Sequence, residues 1–381
     1  MTNKQSNKKA IVSVINDLVT DQRVHRTCEV LKEKGYEVLL VGRKRKNSNE
    51  LDQRNYNTKR MRLLFESGVL FYAEFQIRLF VYLLFKKSDL LFANDLDTLL
   101  PNFIKSKLSG SELIYDSHEL FCEVPELKNH PFKKRIWEFL ERKIIPRLKH
   151  CITVNESIAK WFTEKYNVKF HVVRNIGNPP EKIVLKTRKE LGIPEDKKMI
   201  LIQGAGINID RGAEECVEAM GYLNDVLLFI IGSGDVIDIL KQITKEKKLE
   251  DKIIFIDKIP SRELVHFTSV ADLGLMLDKD TNMNYRFSLP NKLFDFVNAG
   301  IPLLSSKLVE LESFIRKYNI GDFIESHEPK HIAEMIEKTI HSEQYTIWKN
   351  NTLLAKSENS WQIEKQKLIA VIESSEKEFK K

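Results

Sequence analysis

Short apolar runs alternate with helical patterns, and this alternation limits the possible folds more than any other feature of the chain. Residues 10–15 read as a strand, a helical stripe at Val24, Cys28 and Leu31 follows until Gly35 stops it, and 36–41 reads as the next strand. Apolar residues recurring every three to four positions mark one face of a helix, while short continuous runs bounded by turn residues mark buried strands. Runs at 90–93, 113–116 and 151–154 extend the series. Strands alternating with helices pair in parallel, because each helical crossover returns the chain to the end of the sheet from which it started.

The pattern lapses at Asn175, Gly177, Asn178, Pro179 and Pro180, then resumes at 199–203, 226–231, 253–255, 273–277 and 302–305. A chain of 381 residues is longer than one hydrophobic core ordinarily organises. It therefore reads as α/β, with two Rossmann-like doubly wound domains facing across a cleft. The expected boundaries are 1–178 for the first domain, 179–195 for a linker, 196–358 for the second domain, and 359–381 for a terminal helix packing back toward the first.

Composition narrows the class. With 42% hydrophobic and 30% charged residues, there is enough apolar material for real cores, which excludes a disordered or fibrous chain. Cys28, Cys122, Cys151 and Cys216 are widely spaced and form no metal or redox pair, so they read as buried thiols in a reducing compartment. The polar stretch Met1 to Lys9 has no apolar core of an export signal, which predicts a cytoplasmic protein. A net charge of +7 favours an anionic partner. Nucleic acid is the weakest candidate, since the charge is diffuse and no base- or phosphate-reading motif appears.

In open α/β sheets, ligands bind outside the carboxyl ends of the strands, so the residues just after each strand are the candidate site. After the first strand come Asp17, Asp21 and Arg23, where a dinucleotide site would want a glycine-rich turn. Asn94 and Asp95 end a later strand, and His118 another, where an imidazole can donate or accept a hydrogen bond; an incidental capping-loop histidine fits equally well. In the second domain, Gly204 and Gly206 follow a strand and lead through Asn208 to Arg211 at a helix start, a place suited to a diphosphate. Gly232 ends another strand. Leu289, Pro290 and Asn291 open a helix that Gly300 closes, and Lys292 and Asp295 share one of its faces, either as ligand groups or as an ordinary surface ion pair.

Taken in order, these segments resemble the retaining family-4 (group 1) glycosyltransferases of GT-B fold, of the bacterial surface-polysaccharide type. The strongest part of the likeness is Ser288-Leu289-Pro290-Asn291-Lys292-Leu293-Phe294-Asp295-Phe296 with Ala299-Gly300-Ile301-Pro302. The resemblance implies transfer of a hexose-type sugar from a nucleotide diphosphate sugar, UDP or GDP based, to a glycan or lipid-linked acceptor, with no cofactor and no metal. It implies that His118, Arg211 and Lys292 serve catalysis and that Asp295 holds the ribose. Gly204, Gly206, Asn208, Gly232, Leu289, Pro290 and Asn291 would bind the rest of the donor. Asp17, Asp21, Arg23, Asn94 and Asp95 would face the acceptor. Two positions depart from the family: Phe287 stands where a first acid is usual, and Ala205 stands where many relatives carry an arginine.

Asp95-Leu96-Asp97 is a D-x-D, which elsewhere holds a divalent ion; here it reads as an acceptor-side loop. Residues 63–85 are rich in Phe, Leu and Tyr, yet Glu66, Glu74 and Arg78 leave no run able to span a bilayer. Residues 130–150 alternate basic and apolar side chains, compatible with peripheral contact with an anionic membrane on its inner face or with a core-facing helix whose basic side is solvated. Two alternatives share the architecture: a nucleotide-sugar 2-epimerase, and a catalytically degenerate donor-binding subunit.

Overall fold

The computed structural model describes residues 8–19, 21–128, 130–177 and 183–379. Most of the polar N-terminal stretch read for export lies outside the described residues, as do Thr20 and residues 178–182, which include Asn178, Pro179 and Pro180 of the stretch read as the domain boundary. The chain forms two compact units, Met1–Asn175 with Gln362–Lys381, and Ile176–Trp361.

In the first unit, β1 (Lys9–Asp17), β2 (Glu37–Lys44), β3 (Asn57–Arg62), β4 (Leu90–Asn94), β5 (Glu112–Ser117), β6 (His150–Thr153) and β7 (Phe170–Val172) form one sheet. Its order is β3-β2-β1-β4-β5-β6-β7, and every pairing is parallel. Helices cover such a sheet on both faces, so a central strand has no solvated side. This explains why β4 is a continuous apolar run buried from end to end. The strand order reverses between β1 and β4, which places the ends of these two strands at the topological switch point.

The second unit repeats the plan with β8 (Lys198–Gly204), β9 (Val226–Gly232), β10 (Ile253–Asp257), β11 (Leu273–Met276), β12 (Leu303–Ser305) and β13 (Gly321–Phe323), in the order β10-β9-β8-β11-β12-β13 and again all parallel. Alternate residues of one strand serve opposite cores: Ile200 and Ile202 pack with Cys216 and Ile336, whereas Met199 and Leu201 pack with Phe296 and Leu311. Here the switch point lies between β8 and β11.

The terminal helix Trp361–Phe379 belongs to the first unit, where Leu368, Val371 and Ile372 are buried. Glu373 pairs with Lys34 at 2.5 Å, the Tyr36 hydroxyl donates to Glu376 at 2.6 Å, and the Arg174 amide donates to Glu364 at 2.8 Å. Exposed ion pairs contribute little, so the apolar seam is the main anchor. All four cysteines are free and buried.

Candidate active site

At the switch point of the second unit, Asp278 follows β11 and is fully buried. Its carboxylate takes Arg211 Nη1 at 2.7 Å and faces Lys292 Nζ at 3.5 Å. Burial alone would raise the Asp278 pKa, but Lys292 and Arg211 outweigh it and hold the carboxyl below its ordinary value. Burial likewise works against the charged form of Arg211, and Asp278 more than compensates. The guanidinium also lies 4.4 Å from the centre of the Tyr285 ring. Gly212, at φ +72°, lets the chain turn directly against the Leu277 backbone, where a Cβ would collide with the Leu277 carbonyl oxygen. That close approach carries Arg211 to Asp278.

One anion therefore gathers two cations. Lys292 and Asp295 do not pair with each other: Lys292 reaches Asp278, while Asp295 accepts a hydrogen bond from Gln203 Nε2 at 3.2 Å. Gln203 is held in turn by Thr268, whose hydroxyl donates to its Oε1 at 2.7 Å. These three residues line a pocket of about 260 Å³ with Ile183, Leu264 and Ala299. The Asp295 side chain is open to the pocket, but protein crowds it on most sides. Desolvation there lifts its carboxyl to about 6, against the lowering effect of the Gln203 bond.

The glycine turns differ in what they leave accessible. A Cβ on Gly204 or Gly206 would enter nearly open space, so a ligand can approach the backbone there. Gly232, at φ +146°, instead presses on Gly204, and a Cβ would strike the Gly204 carbonyl oxygen. Asn208 braces the same pair of turns, its Oδ1 accepting from the Asp235 amide at 3.2 Å. Leu289 packs against the core, Pro290 caps the helix Asn291–Ala299, and Asn291 begins it at the surface.

In the first unit, His118 lies between two carboxylates. Nδ1 is 3.1 Å from Asp95 Oδ2, and the His118 amide donates to Asp95 Oδ1 at 2.8 Å. Nε2 is 3.4 Å from Asp116 Oδ2, close enough for an ion pair but without hydrogen-bond geometry. Burial would push the imidazole down, yet Asp95 and Asp116 prevail and hold it well above 6.5. The two carboxylates thus favour the protonated, hydrogen-bond-donating form of His118. Asp116 is buried and doubly bound by Arg23, at 2.9 Å to Nε and 2.7 Å to Nη2. Asp95 adopts φ 59°, ψ 167°, a region that is essentially glycine-only, and its contacts to His118 hold it there.

The remaining first-unit residues have structural partners. Asp21 caps the helix Gln22–Glu33 by accepting from the Val24 amide. Asp17 binds Arg60 and Ser48. Asn94 is buried, and its Nδ2 donates to the Ser13 carbonyl at 3.0 Å. Asp97 is buried too, and desolvation together with the Asp95 charge raises its carboxyl well above the ordinary range. Among the described residues, no group of three or more His, Cys, Asp and Glu is placed to hold a metal ion.

Residues 21–179 match Glycosyltransferase Family 4, and residues 184–354 match Glycosyl transferases group 1. The chain belongs to the family 4, group 1 glycosyltransferases. A sucrose-phosphate synthase from Thermosynechococcus elongatus superposes with a TM-score of 0.78 at 14% identity, over 96% of this chain and 98% of its own. WaaG, a glycosyltransferase involved in lipopolysaccharide biosynthesis, gives 0.71 at 16% identity, over 94% and 98%. Anabaena HepE in complex with UDP and glucose gives 0.72 at 14%, over 96% and 100%. At such identities the likeness establishes the GT-B fold. An uncharacterized glycosyltransferase from Methanocaldococcus jannaschii is 23% identical over 202 residues, and the alignment spans about half the length of each protein.

In this glycosyltransferase, the residue that organises the second-unit cluster was missed from the sequence. Asp278 sits two positions beyond β11, in the same kind of strand-end location as the other site residues. Its apolar neighbour Leu277 made the position look like the tail of a core strand. Gln203, the last buried residue of β8, was missed as a partner of Asp295 for a similar reason.

Proposed function

We propose that the protein is a retaining hexosyltransferase. It moves a sugar from a UDP- or GDP-type nucleotide sugar to a glycan or lipid-linked acceptor in cell-surface polysaccharide or glycoconjugate synthesis. The observation carrying this reading is the Arg211–Asp278–Lys292 cluster beside the open Gly204–Gly206 turn. A departing diphosphate gathers negative charge as the sugar's anomeric carbon becomes positive. Cations already fixed by a buried carboxylate stabilise that charge without reorganising, and they supply the countercharge that a divalent ion supplies elsewhere. HepE, of the same fold, holds UDP and glucose.

In this reading the bond from the anomeric carbon to the diphosphate breaks, and the acceptor oxygen bonds to the same face of the sugar. The acceptor's proton passes to the leaving phosphate oxygen. His118, charged and held by Asp95 and Asp116, acts as a hydrogen-bond donor to a sugar oxygen and leaves that proton alone. Asp295 accepts the ribose hydroxyls in the pocket with Gln203. Gly204 and Gly206 admit the diphosphate, Gly232 and Asn208 hold their turn, and Leu289, Pro290 and Asn291 present a helix start to it. Arg23, Asn94 and Asp95 hold the acceptor-side loops, with Asp21 capping and Asp17 at the edge. The basic helix Pro131–Ile144 suits peripheral contact with anionic lipid on the cytoplasmic face. Among the described residues no helix is long and apolar enough to cross a membrane.

Calorimetric titration with UDP and GDP, followed by NMR of the transferred sugar, tests the proposal. Arg211→Ala should weaken binding of the preferred nucleotide at least tenfold. His118→Gln should lower turnover by about 100-fold, the usual cost of losing one charge-stabilising donor, and leave nucleotide affinity unchanged. An inverted anomeric configuration removes the mechanism, and absence of binding to either nucleotide removes the donor site.

A further inference from the structure

Within the first unit, the helices Gly68–Leu84 and Pro131–Ile144 and the loop after His118 enclose a groove of about 530 Å³. Its volume is in the range of small-molecule sites, and its walls are largely apolar. Trp137 forms the floor, locked edge-on between Tyr72 at 5.2 Å and Phe121 at 5.0 Å. One lining residue is Glu119, the direct neighbour of His118. Another is Lys133, a half-buried ammonium with no carboxylate partner among the described residues, although Lys134 beside it pairs with Glu123 at 2.8 Å. Outside the groove, apolar side chains remain exposed on both helices, including Leu70, Phe132 and Phe139.

We infer that this groove binds the apolar chain of an amphiphilic acceptor whose anionic group pairs with Lys133. This rests on the acceptor side proposed above and names its substrate class. Four observations select the occupant. The groove runs to the His118 loop, so a molecule lying in it has one end where the acceptor is needed. Its walls offer an aliphatic chain a preformed aromatic surface at Trp137, Tyr72 and Phe121, and burial there removes apolar surface from water. Lys133, with no carboxylate partner among the described residues, can pair with a negative charge, which a phosphate-linked chain carries and a neutral glycan lacks. The exposed apolar residues extend the surface beyond the groove, as expected for an occupant longer than the groove itself.

Calorimetry of the full chain with decyl phosphate, decanol and inorganic phosphate, each below any micelle-forming concentration, tests this. Decyl phosphate should bind one per chain, at least tenfold tighter than either half alone. Ala73→Trp, which places an indole in the groove, should weaken it at least tenfold while UDP or GDP binding stays intact as evidence of folding. Lys133→Ala should weaken decyl phosphate and leave decanol unchanged, and it stands in if Ala73→Trp does not fold. The inference is overturned if decyl phosphate shows no saturable binding, or if Ala73→Trp binds it as wild type does. It is also overturned if only phosphatidylglycerol vesicles bind, indifferent to Ala73→Trp, which would make the patch a membrane-contact surface. Loss of nucleotide binding with decyl phosphate binding retained would remove the donor site and leave the groove.

Discussion

At the scale of single residues, the two sites use opposite charge arrangements. Asp278 is an anion holding two cations, whereas His118 lies between two carboxylates that favour its charged form. Each central group is stable because its neighbours offset the cost of desolvation. Replacing Asp278 by alanine leaves Arg211 and Lys292 facing each other without compensation. Because both are partly exposed, the lower end of the range for breaking a buried pair applies, and urea unfolding should show a loss of about 3 kcal/mol. A loss below about 1 kcal/mol would mean that the cations do not depend on it. Asp295 gives a pH prediction. Its carboxyl, lifted to about 6, is protonated below that pH and ionised above it, and only the ionised form presents both oxygens as acceptors. Affinity for an intact nucleotide sugar, whose diester has no titrating phosphate in this range, should therefore rise as pH increases through about 6. Asp295→Asn should bind weakly and lose that slope. The native state of the wild type also bears a cost at neutral pH, since a raised carboxyl pKa reduces stability progressively above the ordinary value of 3.8. A pH-independent wild-type affinity between 5 and 7 would remove Asp295 from the ribose.

At the scale of elements, legibility followed burial. Strands buried on both faces, such as β4 and β9, were visible as continuous apolar runs, and the Pro290–Gly300 helix was visible from its boundary residues. β3, β7 and β13 were not. β3 is a sheet edge whose Lys59, Arg60 and Arg62 discourage further pairing, so its sequence lacks the apolar signal of a core strand. What the sequence could not show was register. His118 meets Asp95 because Asn94 pairs with Asp116 across β4 and β5, and Gly232 meets Gly204 because β8 and β9 align those two residues. Gly232 therefore looked like a place for ligand approach, although its lack of a side chain is spent on the neighbouring turn. The terminal helix offers a test at this scale. Ile372 is fully buried, and Ile372→Ala should destabilise the first unit by about 3 kcal/mol through the cavity it leaves, with nucleotide affinity unchanged. Cutting the Glu373–Lys34 pair by Glu373→Ala should cost less than about 1 kcal/mol, because that pair is exposed.

At the scale of the whole molecule, two doubly wound units of nearly the same plan hold different chemistry at the same topological position. In both, the strand order reverses beside the first strand of the unit, and the charged residues collect at the carboxyl ends at or next to that reversal. The second unit contributes cations and an open glycine turn there, and the first contributes carboxylates around one histidine. A nucleotide diphosphate should therefore distinguish the units. A ligand that binds only the native state stabilises it by mass action, about 2.7 kcal/mol at one hundred times its Kd. Hydrogen exchange of the full chain with saturating UDP or GDP should show slowed amides at the turn from Gly204 to Asn208, around Arg211 and at the Asn291 helix start. Amides near Asn94 and His118 should be far less affected, since the Asp95 and Asp116 carboxylates already hold His118 and Arg23 there. The +7 net charge draws any anion weakly to the whole surface, so the measurement belongs at physiological ionic strength, where exposed charges are screened beyond about 8 Å. Protection that appears first around His118, and not at Arg211, would reverse the assignment of donor and acceptor sides.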